Sequence, residues 1–324
     1  MYSETFFLVL AFILACNATT LRSLDSEWKL WKSNYEKKYT SQIDEEFRRK
    51  TWESNWKMVQ EHNQLADQGK KSYWMKVNHF ADKTEKELKS MSCFHPPASE
   101  ERTFKNYQDR SYQPGPSNVD WRDEKCVTAV KDQGYCGSCW AFSTVGTIES
   151  RYCIKYGPLV ELSEQQLVDC DSSNDGCCGG FPSSAFFHVT EYGMMKSSNY
   201  KYKGYATECR FKNSKALQLN ASKSYDLIGE DNIASAVAFD GPLSVAFAVH
   251  THFYFYDKGI YDEACAPAAN HAILAVGYGS EEYEQYWIIK NSWGQYWGEK
   301  GYGKIRRNVN LCEIGDWGSA IDLI

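Results

Sequence analysis

The chain has 324 residues, 43% of them apolar and 15% aromatic, which suits a folded protein with a sizeable core and excludes a disordered chain. Its formal net charge is −6, and no long basic run is present to draw in nucleic acid. Twelve cysteines are more than a cytosolic chain normally carries and point to an oxidising compartment.

Residues 6–15, FFLVLAFILA, form an apolar run too short to span a bilayer. It ends among small residues, Ala15 to Thr20, as a secretory signal peptide cut near Ala18 does, although the residues before it hold Glu4 and no Lys or Arg. The other reading of this run is a short buried helix. No other apolar run is long enough to cross a membrane. Residues 21 to about 90 read as polar and helical, with Trp28, Trp31 and Tyr35 on one face and Phe47, Trp52, Trp56 and Val59 continuing it. Residues 93–117 are rich in Pro, Ser and charge, which is linker composition. The following VDWR, Val119–Arg122, reads as a strand.

From Cys126 to about Ser222 the reading is mostly helical. Trp140, Ala141, Phe142, Val145, Ile148, Tyr152 and Ile154 recur at helical spacing, and Gly157 suits a C-cap. Leu162–Cys170, LSEQQLVDC, opens with Ser163 as an N-cap. From about Tyr225 to Arg307 the runs LSVAFAV, HAILAVGYG, QYWIIK and GYGKI alternate with Gly turns, as strands do. Helices first and strands second predict an α+β, two-lobed chain. Charge divides the same way: residues 19–114 carry 18 Lys and Arg against 15 Asp and Glu, whereas residues 115–324 carry 18 against 26. Opposite signs favour docking of the first part on the second; the alternative is that the asymmetry is incidental.

The stretch with the strongest chemical content is Gln133–Ser143, QGYCGSCWAFS. A helix opening at Trp140 leaves Cys139 at its N-terminal end, where unpaired N–H groups and the helix dipole favour a negative charge. Cys139 is therefore expected to have a lowered pKa and to be nucleophilic. A base and an orienter for it are on offer in Asn270-His271-Ala272 and in Asn291-Ser292-Trp293-Gly294, with His271 and Asn291 lying 132 and 152 residues downstream. His250 and His252 could share one face of a strand as metal ligands sometimes do, but no further ligand is spaced with them, and an exposed pair is the expectation. Cys136 and Cys139 together read as C-x-x-C, which could be redox-active or bind zinc, although no second such pair accompanies it. Asn220-Ala221-Ser222 is an N-glycosylation sequon on Asn220.

With Gln133, CGSCW, NHA and KNSWG in this order, the chain resembles papain-like cysteine endopeptidases of the cathepsin L/H type along nearly its whole length after the signal peptide. The resemblance implies a papain-like fold, a helical lobe plus a β-barrel-like lobe with the active site in the cleft between them, preceded by a helical inhibitory propeptide. It divides the chain into a signal peptide (1–18), a propeptide (19–114) cut near Gly115 and a mature peptidase (115–324). The family's propeptide motif is matched by Asp44, Arg48, Trp52, Asn55, Val59 and Asn63, with Asp for the usual Glu and Val for Ile, and the next motif by Lys76, Asn78, Phe80 and Asp82, with Lys at a Gly position. These residues could instead merely pack a small helical domain, and the two readings are compatible.

Carried over by resemblance, Cys139 is the nucleophile, His271 its partner, Asn291 the orienter and Gln133 an oxyanion donor. Trp293 would shield the Asn–His bond, and Gly179 and Gly180 would pair with substrate backbone. The S2 pocket, which receives the second side chain before the scissile bond, would be walled by Phe181, Pro182, Ala246 and Ala272 and floored by Trp317. A Trp there is expected to take up depth, favouring Val, Pro or Leu over Phe and Arg. The resemblance pairs Cys136 with Cys177, Cys170 with Cys209 and Cys265 with Cys312, leaving Cys139 free; Cys126–Cys153 is a suggested fourth bridge. Only five residues, Asp171 to Asp175, separate Cys170 from Gly176, too few for the occluding insertion of cathepsin B-like exopeptidases. No octapeptide like the one that makes cathepsin H an aminopeptidase is evident before Gly115, so an endopeptidase is the expectation.

The reaction calls for no cofactor and no metal. The expected partners are protein and peptide substrates, the chain's own propeptide and cystatin-type inhibitors, with no nucleic acid and no membrane span. A monomer in the lysosome or outside the cell is the expected form. Two other readings stand beside this one: a catalytically silent papain-like binding or inhibitory protein, to which Glu313 lends support because the family commonly has Gly there, and a thiol–disulfide oxidoreductase built on Cys136 and Cys139.

Overall fold

The structure, a computed structural model, describes residues 24–95, 115–263 and 265–324. The expected signal peptide, and all of the linker beyond His95 as far as Pro114, lie outside the described residues.

The N-terminal part is a small helical globule. Helix α1 covers residues 24–34 and α2 covers Gln42–Asp67, whose N-cap Ser41 accepts a hydrogen bond from Asp44 N. Trp28 packs on Trp31 and Trp52 at ring-centroid distances of 5.2 and 5.4 Å. Phe47, expected on this face, is half exposed. Five residues before Trp52, it points roughly 140° away around the helix. The polar motif residues hold the returning chain against α2. Arg48 donates to Asp82 O and to Glu87, Asn55 to Ala81 O and Lys83 O, and Asn63 exchanges hydrogen bonds with both backbone groups of Met75. This return includes a strand, β1 (Tyr73–Met75), and a short helix, α3 (Glu85–Lys89). The helical reading of residues 21 to about 90 missed β1, because three residues carry no period and its partner lies far along the chain.

A second apolar core belongs to helices α4 (Cys139–Tyr156), α5 (Glu164–Cys170) and α6 (Pro182–Tyr192), gathered around Trp140, Val145, Ile148, Leu167 and Phe186. Gly157 ends α4 at φ 99°, its N–H bonded to Cys153 O, and the Ser163 hydroxyl caps α5 by accepting from Gln166 N at 3.0 Å. A two-stranded ribbon pairs β3 (Met194–Met195) with β4 (Ala216–Leu217).

The remaining strands are β2 (Val119–Asp120), β5 (Ala221–Leu227), β6 (Leu243–Phe247), β7 (Tyr256–Tyr261), β8 (His271–Glu281), β9 (Glu284–Lys290), β10 (Tyr302–Arg306) and β11 (Gly318–Leu323). They form one sheet in the order β1-β7-β10-β9-β8-β6-β11-β5, with β2 on β8; only β7 and β10 run parallel. Thus β1 of the N-terminal globule extends the C-terminal sheet, Tyr73 opposite Gly259. A helix, α7 (Glu230–Asp240), interrupts the expected run of strands and buries Ile233, Ala234, Ala236 and Val237. Four disulfides, Cys126–Cys153, Cys136–Cys177, Cys170–Cys209 and Cys265–Cys312, tie the loops, each with a Cα separation of about 5 Å that suits a bridge. Among the described residues no helix is long and apolar enough to cross a membrane.

Candidate active site

The helical lobe presents Cys139 as the first residue of α4, fully buried and not disulfide-bonded. The strand lobe presents His271 as the first residue of β8 and Asn291 just past the end of β9. Backbone of Ala272, the neighbour of His271, hydrogen-bonds at the Cys139 sulfur, so the two lobes meet at this thiol. His271 Nε2 lies 2.9 Å from Asn291 Oδ1. Ser292 N donates to the same Oδ1 at 2.8 Å, which fixes it as the amide oxygen, so His271 Nε2 must carry the hydrogen. Nδ1 then holds the lone pair of the neutral ring, and it is buried without a partner. Trp293 lies over the imidazole at 4.5 Å between centroids and 25° between planes, which keeps water from the His–Asn bond.

Gln133 is fully buried beside them. Its Oε1 accepts from the Ser292 hydroxyl at 2.7 Å, which turns Nε2 toward the cleft. Ser292 therefore orients both Gln133 and Asn291, a role that its place in NSWG did not disclose. Nε2 of Gln133 donates to Cys136 O and, at 2.8 Å, to Met91 O of the N-terminal segment.

That segment runs on through the cleft. Phe94 N donates to Asn270 O, Gly180 N to Cys93 O and His95 N to Gly180 O, with Phe94 parallel to Gly180. A Cβ on Gly179 would lie 2.7 Å from Cys93 O, and its φ of +132° is one that side chains rarely adopt. The Phe94 side chain packs with Cys139, Phe181, Ala246, Ala269 and Ala272, with Trp317 beside them. Its ring is 5.5 Å from Phe181 and 5.4 Å, edge-on, from Trp317. Four of the five residues expected at S2 are thus together. Pro182 starts α6 outside this cluster, and Ala269 is an addition that no sequence signal marked. The cluster expected to favour Val, Pro or Leu over Phe and Arg holds the Phe94 ring in this state, with Trp317 edge-on to it. Glu313 holds Trp317 there, its carboxylate accepting from Trp317 Nε1 and from Ala269 N.

The expected low pKa of Cys139 is also not what this state shows. Burial pushes the thiol up to about 11, against hydrogen bonds from the backbone of Ala272, Cys93 and Trp140 that favour the thiolate. Burial likewise lowers His271 to about 4, with Asn291 pulling the other way. Under the tail, the pair is neutral, because desolvation outweighs the helix N-terminus. Cys93 and Cys178 are also free, Cys178 exposed, and Asn220 of the sequon is exposed. His250 and His252 lie in and beside a 3₁₀ turn, Thr251–Phe255, not on a strand, and are half-buried.

Comparison with known proteins agrees with this arrangement. Residues 115–320 match the sequence family described as papain family cysteine protease, and residues 28–88 match the cathepsin propeptide inhibitor domain. Cathepsin K of Mus musculus is 41% identical over 308 residues, covering 91% of this chain and 92% of that protein. Cathepsin S of Mus musculus is 39% identical, covering 91% of this chain and 89% of that protein. The solved structure of digestive procathepsin L 3 of Tenebrio molitor larval midgut superposes with a TM-score of 0.85 at 38% identity, covering 93% of this chain and 99% of that one. The chain belongs to the papain family of cysteine proteases and is a zymogen of that family, carrying its propeptide inhibitor domain ahead of the peptidase.

Proposed function

We propose that this zymogen matures into an endopeptidase with Cys139 as nucleophile, His271 as its acid–base partner, Asn291 as orienter and Gln133 as oxyanion donor. Loss of the tail returns water to the cleft and removes the desolvation that keeps the pair neutral. His271 Nδ1 then takes the thiol proton, the thiolate attacks the peptide carbonyl, and the imidazolium protonates the leaving amine. Water, deprotonated by the same nitrogen, releases the acyl group. Gln133 Nε2 and the Cys139 N–H receive the oxyanion, a contribution of about 3–4 kcal/mol per donor. Asn291 is uncharged, so it orients the imidazolium without over-stabilising it.

The observation that carries this reading is the Met91 carbonyl on Gln133 Nε2 with Phe94 against Cys139: the tail occupies the places a substrate would use. The boundaries that fit are a signal peptide at 1–18, a propeptide at 19–114 and a mature enzyme from Gly115. A secreted or lysosomal monomer, open to cystatin-type inhibitors and glycosylated on Asn220, fits the twelve cysteines and the exposed sequon. The test is acid treatment of the proenzyme, then peptide turnover and alkylation by a peptidyl epoxide. One label per molecule, on Cys139, together with turnover, is expected. Labelling without turnover would mean a silent relative, and thiol–disulfide exchange through Cys136 would mean an oxidoreductase.

A further inference from the structure

In sequence, His250 and His252 lack a third ligand. The fold brings one from each part of the chain: His62 from α2 of the propeptide globule and Glu263 from the segment after β7. One ligand atom from each of His62, His252 and Glu263 lies within 4.8 Å of the other two. We propose that these three side chains bind a divalent transition-metal ion of the zinc class, which clasps the propeptide to the enzyme.

The tautomer of His62 suits the role. Its Nε2 is 3.0 Å from Tyr73 O, and a carbonyl only accepts, so Nε2 carries the hydrogen. In the neutral ring, Nδ1 then offers its lone pair, 4.0 Å from Glu263 Oε2. A backbone carbonyl on the far N–H is the usual means of orienting a ligating imidazole. Lys71 and the His252 ring both hydrogen-bond the Glu263 carboxylate.

The spacing is close to that of a formed site. His252 Nδ1 is 3.2 Å from Glu263 Oε2, where a metal would replace the shared proton. Zinc–ligand bonds of about 2.0–2.2 Å put neighbouring ligands roughly 3.3 Å apart, so the His62 nitrogen, 4.0 Å from Glu263 Oε2 and within 4.8 Å of the His252 ligand atom, needs to advance by roughly 1–1.5 Å. Lys71 holds the other carboxylate oxygen, Oε1, and leaves Oε2 to the metal. The Tyr73 hydroxyl, 3.1 Å from Oε2 and 3.5 Å from His252 Nδ1, borders the same space. Two imidazoles and one carboxylate favour zinc over calcium or magnesium, which prefer all-oxygen ligands. The His250 ring lies 5.4 Å from that of His252, and its Nδ1 is buried and unpartnered.

His62 and Tyr73 lie within the residues matched as propeptide, and His252 and Glu263 within the peptidase. The full ligand set therefore exists only while the two remain docked, and an ion that binds only this state stabilises it. Protons compete for the same site. Besides the ligands, the groups facing it are Lys71, Tyr73, Tyr261 and Asp262, with Glu85 and Lys89 near His250. The clasping role rests on the zymogen reading; the binding does not.

The test is calorimetric titration of zinc chloride into full-length proenzyme carrying Cys93→Ser, Cys139→Ser and Cys178→Ser. No free thiol among the described residues then competes for zinc, and self-cleavage through Cys139 is blocked. One equivalent is expected to bind near neutral pH, unaffected by magnesium. Affinity should fall about tenfold to a hundredfold or more in each of His62→Ala, His252→Ala and Glu263→Gln. Cobalt in place of zinc should give the visible absorption of a four-coordinate site. His252 lies outside the globule, so its variant decides the matter if His62→Ala fails to fold. Absence of zinc binding, or binding as tight in His252→Ala as in the parent, overturns the proposal.

Discussion

Where β1 lies along β7, the propeptide meets the enzyme with histidines and aromatic rings; where residues 91–95 cross the cleft, it meets it with backbone groups and one ring. In the first region Phe80 stands edge-on to Trp293 at 5.9 Å and to Tyr254 at 6.5 Å, and Asn78 donates to Tyr254 O. His62 and His79 have lowered pKa values there, His79 down to about 3 through burial and the nearby Lys37 and Lys76. In the second region the contacts are the Met91 carbonyl, the Cys93–His95 backbone and the Phe94 ring. On the proposed mechanism the cleft segment takes a substrate's place, so its strength is bounded by what the enzyme must also release. The globule has no such limit, and it can supply both the affinity and the response to acid.

The largest expected effect comes from the enzyme side of the cleft. Cys139→Ala should lower peptide hydrolysis by on the order of 10⁶-fold. The same variant, held in acid, should remain full-length on a gel, and its thermal unfolding should still show a docked propeptide. Cleavage at the normal rate would remove Cys139 from the mechanism.

Phe80→Ala tests whether the globule carries the affinity. Removal of a buried ring of this kind costs about 3–5 kcal/mol. Proenzyme processing at neutral pH, followed by electrophoresis, should therefore become faster by orders of magnitude. A rate equal to that of the parent would shift the weight of inhibition to the cleft segment.

The pH response gives the next effect. A histidine with a lowered pKa in the docked state binds fewer protons there than after release. Docking is therefore fully stable above about pH 6.5, the ordinary histidine value, and weakens as pH falls toward about 3 for His79. One such group contributes at most about 1.4 kcal/mol per pH unit within that window. His79→Gln should flatten the rise of processing rate with acid and move its midpoint to lower pH. An unchanged profile would mean that the acid response lies elsewhere.

The smallest effect belongs to the pocket. The edge-on contact of Phe94 with Trp317 is worth about 0.5–1.5 kcal/mol. Trp317→Ala should lower kcat/KM for Phe at P2 relative to Val by roughly twofold to tenfold. A rise instead would restore the view that the Trp obstructs the pocket.

What could be read from the sequence alone was written in contiguous residues. The apolar spacing after Trp140, the cap residues Ser163 and Gly157, and the alternating runs of β6, β8 and β9 specify local structure without reference to distant chain. They sufficed for an α+β chain with Cys139 at a helix start and His271 at a strand start. The tertiary structure decided the rest. It placed Ser292 between Gln133 and Asn291, Ala269 and Phe94 in one cluster with Trp317 edge-on to the Phe94 ring, and His62 beside Glu263. It also set the Cys139 thiol near 11, where the helix N-terminus alone argued for a low value. Each of these depends on which distant segments meet and on how much water they exclude. Neither quantity has a period or a cap in the sequence, because burial is a property of the whole packed chain.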